Sequence, residues 1–430
     1  MGNDDGPRRS IRRGLGARLW STSKVAVSAA RLAARRTVGL EGDGDRRLGE
    51  TLAAELDQMK GMAMKVGQIL SYFEGILPES THAALRGLQT GGQPLAFETV
   101  AEVIEGALGR PVDELFESLS ESPVAAASIG QVHRGRIAGR DVAVKVQYPG
   151  IRETIDADFS RIGRLAKIAS LASAVDGDAM VAELRERFVE ECDYRIEAHN
   201  LRQFAEVYAD DPDVEIPAAV VGHCAETVIT THWAEGMDFY TFVETADEAR
   251  RAEVAGALVR FAYRSLFGLL AINADPHPGN YRFRLQGPTA FLDFGCVRRF
   301  DPSFVEAERR VAKVLLAGDR AGFDEAVRAT GMVAKPAKFD FDHHWAMMRH
   351  QLEPYLHPRY RLTPDYIRAG MQFSGPTSPN VRILKIPPQW MWYQRLQWGL
   401  HAVLVRLNVE VDYRTPMLEA IEGPVAPLSP

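Results

Sequence analysis

The amino-acid sequence predicts a two-lobed α+β fold, and three short motifs are the basis of that prediction. A lysine ends the strand pattern Val142-Ala-Val-Lys145, Asp275 and Asn280 lie five residues apart, and an Asp-Phe-Gly triplet begins at Asp293. ATP-dependent phosphotransfer needs a lysine for the nucleotide phosphates, an acid for the substrate proton, and an amide and an acid for magnesium. A turn rich in Pro and Gly would explain the second motif alone. The triplet that follows it favours a protein-kinase-like fold.

Length and composition are those of an ordinary folded protein. The chain has 430 residues, of which 46% are hydrophobic and 25% charged, so roughly two or three hydrophobic cores are expected. The net charge of −6 gives no reason to expect nucleic acid as a partner. Three widely spaced cysteines, Cys192, Cys224 and Cys296, match neither a zinc motif nor a disulfide framework. A reducing cytoplasm is therefore the expected location.

The first 48 residues predict a basic arm. Residues 1–40 contain eight Arg and one Lys against two Asp, without the continuous apolar core of a secretory signal. A solvated arm explains this composition. So does a peripheral anchor on the inner face of an anionic membrane, with about 1 kcal/mol per basic residue near the surface. No apolar run in the sequence approaches the about 20 residues that a membrane-spanning helix needs.

Apolar periodicity and composition divide the rest of the chain. Residues 49–95 are predicted to form a helical extension, and residues 96–235 a first lobe with a helical insertion. Residues 236–415 are predicted to form a second lobe, and residues 416–430 a tail. The extension is predicted because apolar side chains recur at steps of four and three, at Leu52, Leu56, Met59, Ala63, Val66 and Leu70. In the second lobe, the pattern predicts one helix from Arg250 to Ala274 and another over Gln389–Asn408.

The motifs assign roles in phosphotransfer. Asp275 is the predicted base or water-orienting group, and Asn280 and Asp293 are the predicted ligands of magnesium. The spacing is that of a kinase catalytic loop followed by the metal-binding loop on the next hairpin. The predicted cofactors are therefore ATP or ADP with Mg²⁺.

Lys145 is the predicted clamp for the nucleotide phosphates. Such a lysine needs a carboxylate partner on a packed helix to hold it in place. The helical run at residues 190–200 offers several carboxylates, of which Glu197 is the first choice and Glu191 the second. A surface lysine and a solvated acidic helix face are the alternatives.

The loop that should cover the nucleotide departs from ordinary protein kinases. Alanines replace the expected glycines, and the residues assigned to nucleotide binding are Ala125, Ala126, Ala127, Ser128 and Gly130. Methyl groups let the backbone approach phosphate but restrict conformations with positive φ. We therefore expect a stiffer loop and a changed nucleotide pose.

Taken together, these motifs resemble the UbiB family of atypical kinase-like proteins, also called the AarF/ADCK family. The motifs that carry the resemblance are Lys65-Val-Gly-Gln68, the loop 125–133, Val142–Lys145, Glu191-Cys-Asp-Tyr194, Glu197-Ala-His-Asn200, Asp275–Asn280 and Asp293–Gly295. They occur in the family's order and cover roughly residues 50–300. The resemblance implies a kinase-like fold preceded by a family-specific helical extension.

The resemblance also implies where the extension lies and what it serves. In the family the K-x-G-Q helix crosses the active-site mouth, which places Lys65 and Gln68 near the nucleotide and near Glu191 and Asp193. It further implies a hinge that contacts the adenine, at Thr231, His232 and Trp233. A link to ubiquinone or other prenyl-lipid metabolism is implied as well. The expected partners are the nucleotide, a membrane or prenyl lipid, and lipid-biosynthesis proteins, without nucleic acid.

Three functions remain open from the sequence. The first is an atypical kinase or ATPase that couples Mg-ATP or Mg-ADP to prenyl-lipid metabolism, and the intact acids favour it. The second is a nucleotide-sensing scaffold with negligible turnover, which the covered mouth and the Ala-rich loop favour. The third is a phosphotransferase acting on a small metabolite, and the K-x-G-Q extension counts against it.

Overall fold

The computed structural model describes residues 94–429 apart from 128, 154–184, 187–188, 334, 375–377, 381–382 and 385–386. The predicted basic arm, nearly all of the helical extension, and Lys65, Gln68 and Ser128 lie outside the described residues. The chain divides into two compact units. The first unit consists of Met1–Leu95, Ala126–Gln131 and Gln147–Cys192. The second unit consists of Ala96–Ala125, Val132–Val146 and Asp193–Pro430. The second unit contains most of the described helices and strands, and it is the one that carries the site below.

A five-stranded sheet follows the first two helices of the described residues, α1 (Phe97–Leu108) and α2 (Val112–Leu115). Its strands are β1 (Ser118–Leu119), β2 (Ala125–Ala127), β3 (Gly130–Ile137), β4 (Arg140–Gln147) and β6 (Val228–His232). The strand order is β1-β3-β4-β6, and β2 pairs with β3. Positive φ angles at Ala138 and Gly139 make the tight turn between β3 and β4. Three of the predicted loop residues, Ala125 to Ala127, thus form a strand.

Alternation along β4 determines where its lysine lies. Val142, Val144 and Val146 have no exposed surface, so one face of the strand is core. Because successive side chains on a strand point to opposite faces, Lys145 lies on the other face. Strand β6 pairs antiparallel with β4, with Lys145 opposite Ile229.

Helices predominate in the rest of the second unit. They are α3 (Tyr194–Val207), α4 (Phe239–Thr245), α5 (Glu248–Tyr263), α6 (Pro302–Leu316), α7 (Arg320–Ala329), α8 (Phe341–Gln351), α9 (Pro364–Ser374), α10 (Pro388–Leu407) and α11 (Arg414–Glu422). Five of these helices begin after an aspartate whose carboxylate accepts a backbone N–H, at Asp193, Asp238, Asp247, Asp319 and Asp340. This capping fixes where each helix starts. The predicted α+β fold class is confirmed.

The prediction of one helix from Arg250 to Ala274 was wrong. Helix α5 ends at Tyr263, a π-helical turn follows at Arg264–Gly268, and Ala271–Asn273 is strand β7. Strand β7 pairs antiparallel with β10 (Val297–Arg299). Both kinds of element are buried here, so apolar residues continue from the helix into the strand without a polar interruption, and periodicity cannot separate them.

Short strands position the loops that carry the motifs. The second small sheet has the order β5-β9-β8, with β5 (Val214–Glu215), β8 (Tyr281–Arg282) and β9 (Thr289–Phe291). The chain from β7 to β8 passes through a 3₁₀ turn at Pro278–Asn280. The chain from β9 to β10 contains Asp293. The pairing of β7 with β10 therefore places the two loops side by side.

The C-terminal helices complete the core. Helix α10 agrees with the helix predicted over Gln389–Asn408, and Asn408 ends it in the left-handed conformation. It buries an apolar stripe at Leu396, Leu400, Val403 and Leu407. A short strand pair, β11 (Tyr360–Arg361) with β12 (Glu410–Val411), also belongs to this part. Within the described ranges, no helix combines the length and the apolar character needed to cross a membrane.

Candidate nucleotide and phosphotransfer site

A three-membered charge cluster joins the sheet, helix α3 and the Asp-Phe-Gly loop. The Lys145 Nζ donates to both carboxylate oxygens of Glu197, at 3.1 and 2.9 Å, and to Asp293 Oδ2 at 3.1 Å. Glu197 is 5% exposed, in the first turn of α3. Glu197, the first choice predicted from the sequence as the partner of Lys145, is thus a residue that Lys145 contacts. The catalytic role of the pair stays a prediction.

The two carboxylates keep Lys145 charged. Burial alone lowers the pKa of this amine, because a low-dielectric surrounding disfavours its charged form. The charges of Asp293 and Glu197 outweigh the burial and raise the pKa of Lys145 well above its ordinary value. A permanently charged ammonium between a helix and the metal-binding loop is what a phosphate clamp requires.

The loop that carries Asp275 and Asn280 is held by hydrogen bonds to Asp275. Asn280 Nδ2 donates to the Asp275 carbonyl and to its Oδ2, both at 2.9 Å. On the other carboxylate oxygen, Arg395 Nη2 donates to Oδ1 at 2.7 Å. The predicted base thus has a fixed orientation and an adjacent positive charge that stabilises its ionised form.

Arg395 is a site residue that the sequence did not reveal. It lies on α10, and its Nε also donates to the Ala274 carbonyl, directly before Asp275. Its side chain is 10% exposed. No motif flags it, because it is one of two arginines on an aromatic-rich helix. Only the packing of α10 brings it to the catalytic loop.

Asn273 links the two loops that carry the predicted acids. Its Nδ2 donates to the Asp293 carbonyl at 2.6 Å, and its Oδ1 accepts the Asp275 N–H at 3.2 Å. The side chain is 7% exposed, in strand β7. Movement of one loop therefore disturbs the other. The sequence offered a signal for this residue, a polar side chain in an apolar strand directly before the motif.

A second network fixes the Asp-Phe-Gly loop to α3. The buried Asn200 donates its Nδ2 to the Phe294 carbonyl at 3.1 Å. The Phe294 ring has no exposed surface and packs on Phe204 of the same helix, with ring centroids 4.9 Å apart. Asp293 Oδ1 accepts the Gly295 N–H at 2.9 Å. Helix α3 therefore positions both Glu197 and the loop that carries Asp293.

The arginine after this loop extends the network to the end of the chain. Arg299 Nη2 donates to Asn200 Oδ1 at 3.1 Å and to Gln203 Oε1 at 2.7 Å. Arg299 Nε and Gln203 Nε2 both donate to the Ser429 carbonyl at 3.0 Å. The C-terminal segment thus holds α3 and β10 together through three polar side chains.

The predicted metal ligands have the chemistry that magnesium prefers. Asn280 uses its nitrogen for Asp275, which leaves its amide oxygen for a cation, and Asp293 supplies a carboxylate. Hard oxygen donors suit Mg²⁺, which is commonly held by one or two carboxylates together with substrate phosphates. No cluster of three or more His, Cys, Asp and Glu side chains that could hold a metal occurs in the described part of the chain. Asn280 and Asp293 therefore fit Mg²⁺ bound together with a nucleotide.

The other predicted nucleotide residues lie in different surroundings. In the described hinge, Thr231 and His232 are paired to Ala143 and Val142 in the sheet, and the Trp233 N–H donates to the Asp141 carbonyl at 3.0 Å. The Arg134 guanidinium lies over the Trp233 ring, 4.6 Å from its centroid. Backbone pairing thus holds these three residues in or beside the sheet. Their contact with adenine stays a prediction.

The other predicted site residues lie in the Ala-rich loop and in the acidic motif around Glu191 and Asp193. Asp193 caps α3 and binds Arg195 Nη2 at 2.7 Å, so it has a structural role besides the predicted one. Glu191 is half-buried, two residues before the cap. Ala125, Ala126 and Ala127 are in β2, and Gly130 begins β3. Their predicted contacts with nucleotide stay predictions.

Comparisons with known proteins agree with this geometry. Residues 87–327, more than half of the chain, match the family model described as the ABC1 atypical kinase-like domain. The mitochondrial atypical kinase COQ8 of Saccharomyces cerevisiae is 29% identical over 279 residues, which cover 64% of this chain and 55% of the yeast protein. The mitochondrial atypical kinase COQ8B of Rattus norvegicus is 32% identical over 276 residues, covering 63% and 52%. The chain thus spans about half the length of these curated relatives.

A solved structure gives wider coverage. It is the complex of Rv3197 with erythromycin from Mycobacterium tuberculosis, which superposes with a TM-score of 0.67 at 28% identity. The match covers 87% of this chain and 96% of that one. Family model, relatives and solved fold thus agree on the family and on the kinase-like fold. The chain belongs to the ABC1 atypical kinase-like family, which is the UbiB family.

Proposed function

We propose that the protein is an atypical kinase or ATPase that binds Mg-ATP or Mg-ADP and couples it to ubiquinone or other prenyl-lipid metabolism at a membrane surface. The observation that carries the proposal is the Lys145–Glu197–Asp293 cluster beside the Asp275–Asn280 pair. Kinases require the lysine–glutamate ion pair and the Asp-Phe-Gly aspartate to be in place together. Both contacts are present at the same lysine nitrogen.

Each residue has a defined task in this proposal. Lys145 binds the nucleotide phosphates, and Glu197 keeps its ammonium in place. Asp275 accepts the proton of the attacking water or hydroxyl while the new bond to the γ-phosphorus forms and the bond to the bridging oxygen breaks. Arg395 and Asn280 hold the Asp275 carboxylate in one orientation. Asn280 and Asp293 would hold Mg²⁺, whose charge would stabilise the phosphate oxygens.

The lipid part of the proposal rests on the relatives. Two of them carry the name COQ8, and the family resemblance links such proteins to ubiquinone metabolism. The matching segment covers about half of those proteins, so their pathway is an expectation for this chain. The basic first 40 residues suit an anionic membrane surface.

The second candidate is a nucleotide sensor with negligible turnover. A specific observation favours it, since both carboxylate oxygens of Asp275 accept hydrogen bonds, one of them from a charged guanidinium. Such bonds stabilise the carboxylate and weaken it as a base. Nucleotide binding, rather than hydrolysis, would then be the signal.

One experiment separates the two candidates. Phosphate release from Mg-ATP is measured with the full chain, with and without anionic liposomes and a quinone-precursor mimic. Nucleotide affinity is measured in parallel. We expect phosphate release that rises with lipid. In Asp275→Asn the release should disappear with little change in nucleotide affinity. In Asp293→Asn both the release and the Mg-dependent nucleotide binding should be lost. Tight binding without turnover under every condition would establish the sensor instead.

A further inference from the structure

A cavity lies between α8, α9 and α10, outside the site described above. It is lined by His350, Tyr366, Gln394, Gln397, Trp398 and His401, among others. Counting the space at its mouth, its volume is about 350 Å³. The part that can accept a water-sized group measures about 20 Å³, room for one such group. The cavity therefore admits the tip of a ligand, with the rest lying at the mouth.

The cavity floor is polar but uncharged. Gln394, Gln397 and His401 are 8%, 7% and 6% exposed, and no Asp, Glu, Lys or Arg is among the described lining residues. Burial, together with the neighbouring His350, lowers the pKa of His401 to about 4, so this imidazole is neutral at physiological pH. A neutral floor disfavours a charged ligand, because nothing there offsets the loss of the ligand's hydration.

Among the described lining residues, one buried side-chain polar atom lacks a hydrogen-bond partner. Gln394 Nε2 donates to Gln397 Oε1 at 3.4 Å, and Gln397 Nε2 donates to the Tyr393 hydroxyl at 3.2 Å. His350 Nε2 donates to the Tyr366 carbonyl at 3.0 Å. His401 Nε2 is buried without a hydrogen-bond partner among the described residues. A buried polar atom of this kind normally has a partner, and a ligand in the cavity would supply it.

The rim provides an apolar surface for the rest of such a molecule. Trp398 and Ile367 are partly exposed there, and the Tyr366 ring stacks on His350 with centroids 4.5 Å apart. Aromatic rings around a few fixed polar groups are typical of small-molecule sites. We propose that this cavity binds a small, flat, uncharged aromatic molecule whose hydrogen-bonding group pairs with His401 Nε2.

The same helix connects the cavity with the catalytic loop. At 100° per residue, positions 394, 397, 398 and 401 share one face of α10, whereas Arg395 and Gly399 share another. Arg395 binds Asp275, and Gly399 packs so closely on Pro276 that an added Cβ would lie 2.4 Å from its Cγ. A ligand that shifts α10 therefore shifts Arg395. This coupling rests on the proposed function, whereas the binding itself does not.

Binding to the full chain is tested without nucleotide, by ligand-observed NMR and calorimetry with benzamide. Benzoate and benzylammonium serve as charged probes of the same shape. We expect saturable benzamide binding, about tenfold weaker in His401→Phe, as for the loss of one buried hydrogen bond. His401→Gln, which keeps a hydrogen-bonding group, and His357→Phe, which alters an exposed histidine elsewhere, should bind nearly as the parent does. Both charged probes should bind at least about tenfold more weakly than benzamide.

A second variant guards against a misfolded His401→Phe protein. A Cβ at Gly370 would lie 3.2 Å from His350 Nε2 and 3.6 Å from Trp398 Cη2, so Gly370→Ala narrows the cavity without removing a polar group. It should weaken benzamide binding as well. Equal binding of benzamide and benzoate, unchanged affinity in both His401→Phe and Gly370→Ala, or no saturable benzamide binding would each overturn the proposal. A crystal grown with benzamide that shows only a water on His401 would overturn it too.

Discussion

Arg395 donates to the Asp275 carboxylate over 2.7 Å, although 120 residues separate them in the chain. A second hydrogen bond from the same guanidinium reaches the Ala274 carbonyl, so Arg395 holds both the backbone and the side chain of the catalytic loop. Arginine is suited to this because its donors lie in a rigid planar fork and it stays charged when buried. The ion pair thus joins α10 to the loop that carries the predicted base.

Replacing Arg395 by Gln separates the two proposed functions. If the ion pair positions Asp275 for phosphotransfer, phosphate release should fall on the order of 100-fold, as for a misplaced catalytic group, while Mg-ATP affinity changes little. If the ion pair instead restrains Asp275, as the sensor requires, release should rise. The matched control is Arg310→Gln, whose half-exposed guanidinium pairs with Glu325 on the outer surface of α6 and α7.

Gly399 tests whether α10 must touch the catalytic loop. An alanine there places a Cβ 2.4 Å from Pro276 Cγ, so either the helix or the loop has to move. We expect Gly399→Ala to lower the rate of phosphate release about tenfold or more with nucleotide affinity retained, because a small displacement misaligns Asp275. The control is Gly106→Ala in α1, where the added methyl meets no atom within 4 Å. Equal rates in the two variants would show that the contact is irrelevant to turnover.

Arg299 tests whether the C-terminal segment helps to position α3. In Arg299→Ala the hydrogen bonds to Asn200, Gln203 and the Ser429 carbonyl are lost. Because α3 carries Glu197, Lys145 should be held less firmly. Mg-ATP affinity should fall about threefold to tenfold, corresponding to a net loss of roughly one hydrogen bond.

Two further variants make the Arg299 result interpretable. Arg140→Ala removes an exposed arginine from the start of β4 and should leave affinity unchanged. Arg299→Lys should restore part of the binding, because an ammonium still reaches one acceptor. Unfolding in urea is measured beside affinity. A loss of stability with normal Mg-ATP binding would mean that Arg299 serves the fold alone.

Glu308 makes stability depend on pH. Burial in α6 raises the pKa of this carboxyl from 4.5 to about 7. Between these two pH values the folded protein binds more protons than the unfolded chain, so the free energy of unfolding falls as pH rises through this range. The full effect is roughly 3 kcal/mol above pH 7. In Glu308→Gln this dependence should disappear.

The measurement for Glu308 is urea unfolding at pH 5, 6, 7 and 8. Glu308→Gln should gain stability over the parent as pH rises, and the two should converge at low pH. Glu306→Gln on the exposed side of the same helix is the control, and its profile should follow that of the parent. Parallel profiles for the parent and Glu308→Gln would exclude Glu308 as the source of the dependence.

The sequence alone named the chemistry of the site. Lys145 follows from a two-residue alternation, and Asp275, Asn280 and Asp293 follow from spacing within two short loops. Glu197 could be chosen as the partner of Lys145 because residues 190–200 form a predicted helical run that carries several carboxylates. Each of these signals is contained within a few neighbouring residues, and a sequence displays such local patterns directly.

Local patterns failed where burial hides the change of element. The predicted helix to Ala274 instead turns at Arg264 and becomes strand β7, since an apolar run suits a buried helix and a buried strand equally well. Ala125–Ala127 likewise became a strand because β3 offers a partner for it. In both cases the neighbouring strand decided the conformation.

Only the tertiary structure brought Arg395 to Asp275, Arg299 to Ser429, and His401 into a cavity. Arg395 and Asp275 are 120 residues apart in the chain, and Arg299 and Ser429 are 130 residues apart. The amphipathic pattern of α10 shows which side is apolar, but it does not state which loop each polar residue will meet. That choice depends on how helices pack, because a hydrogen bond is formed with whichever group the packing places within about 3 Å.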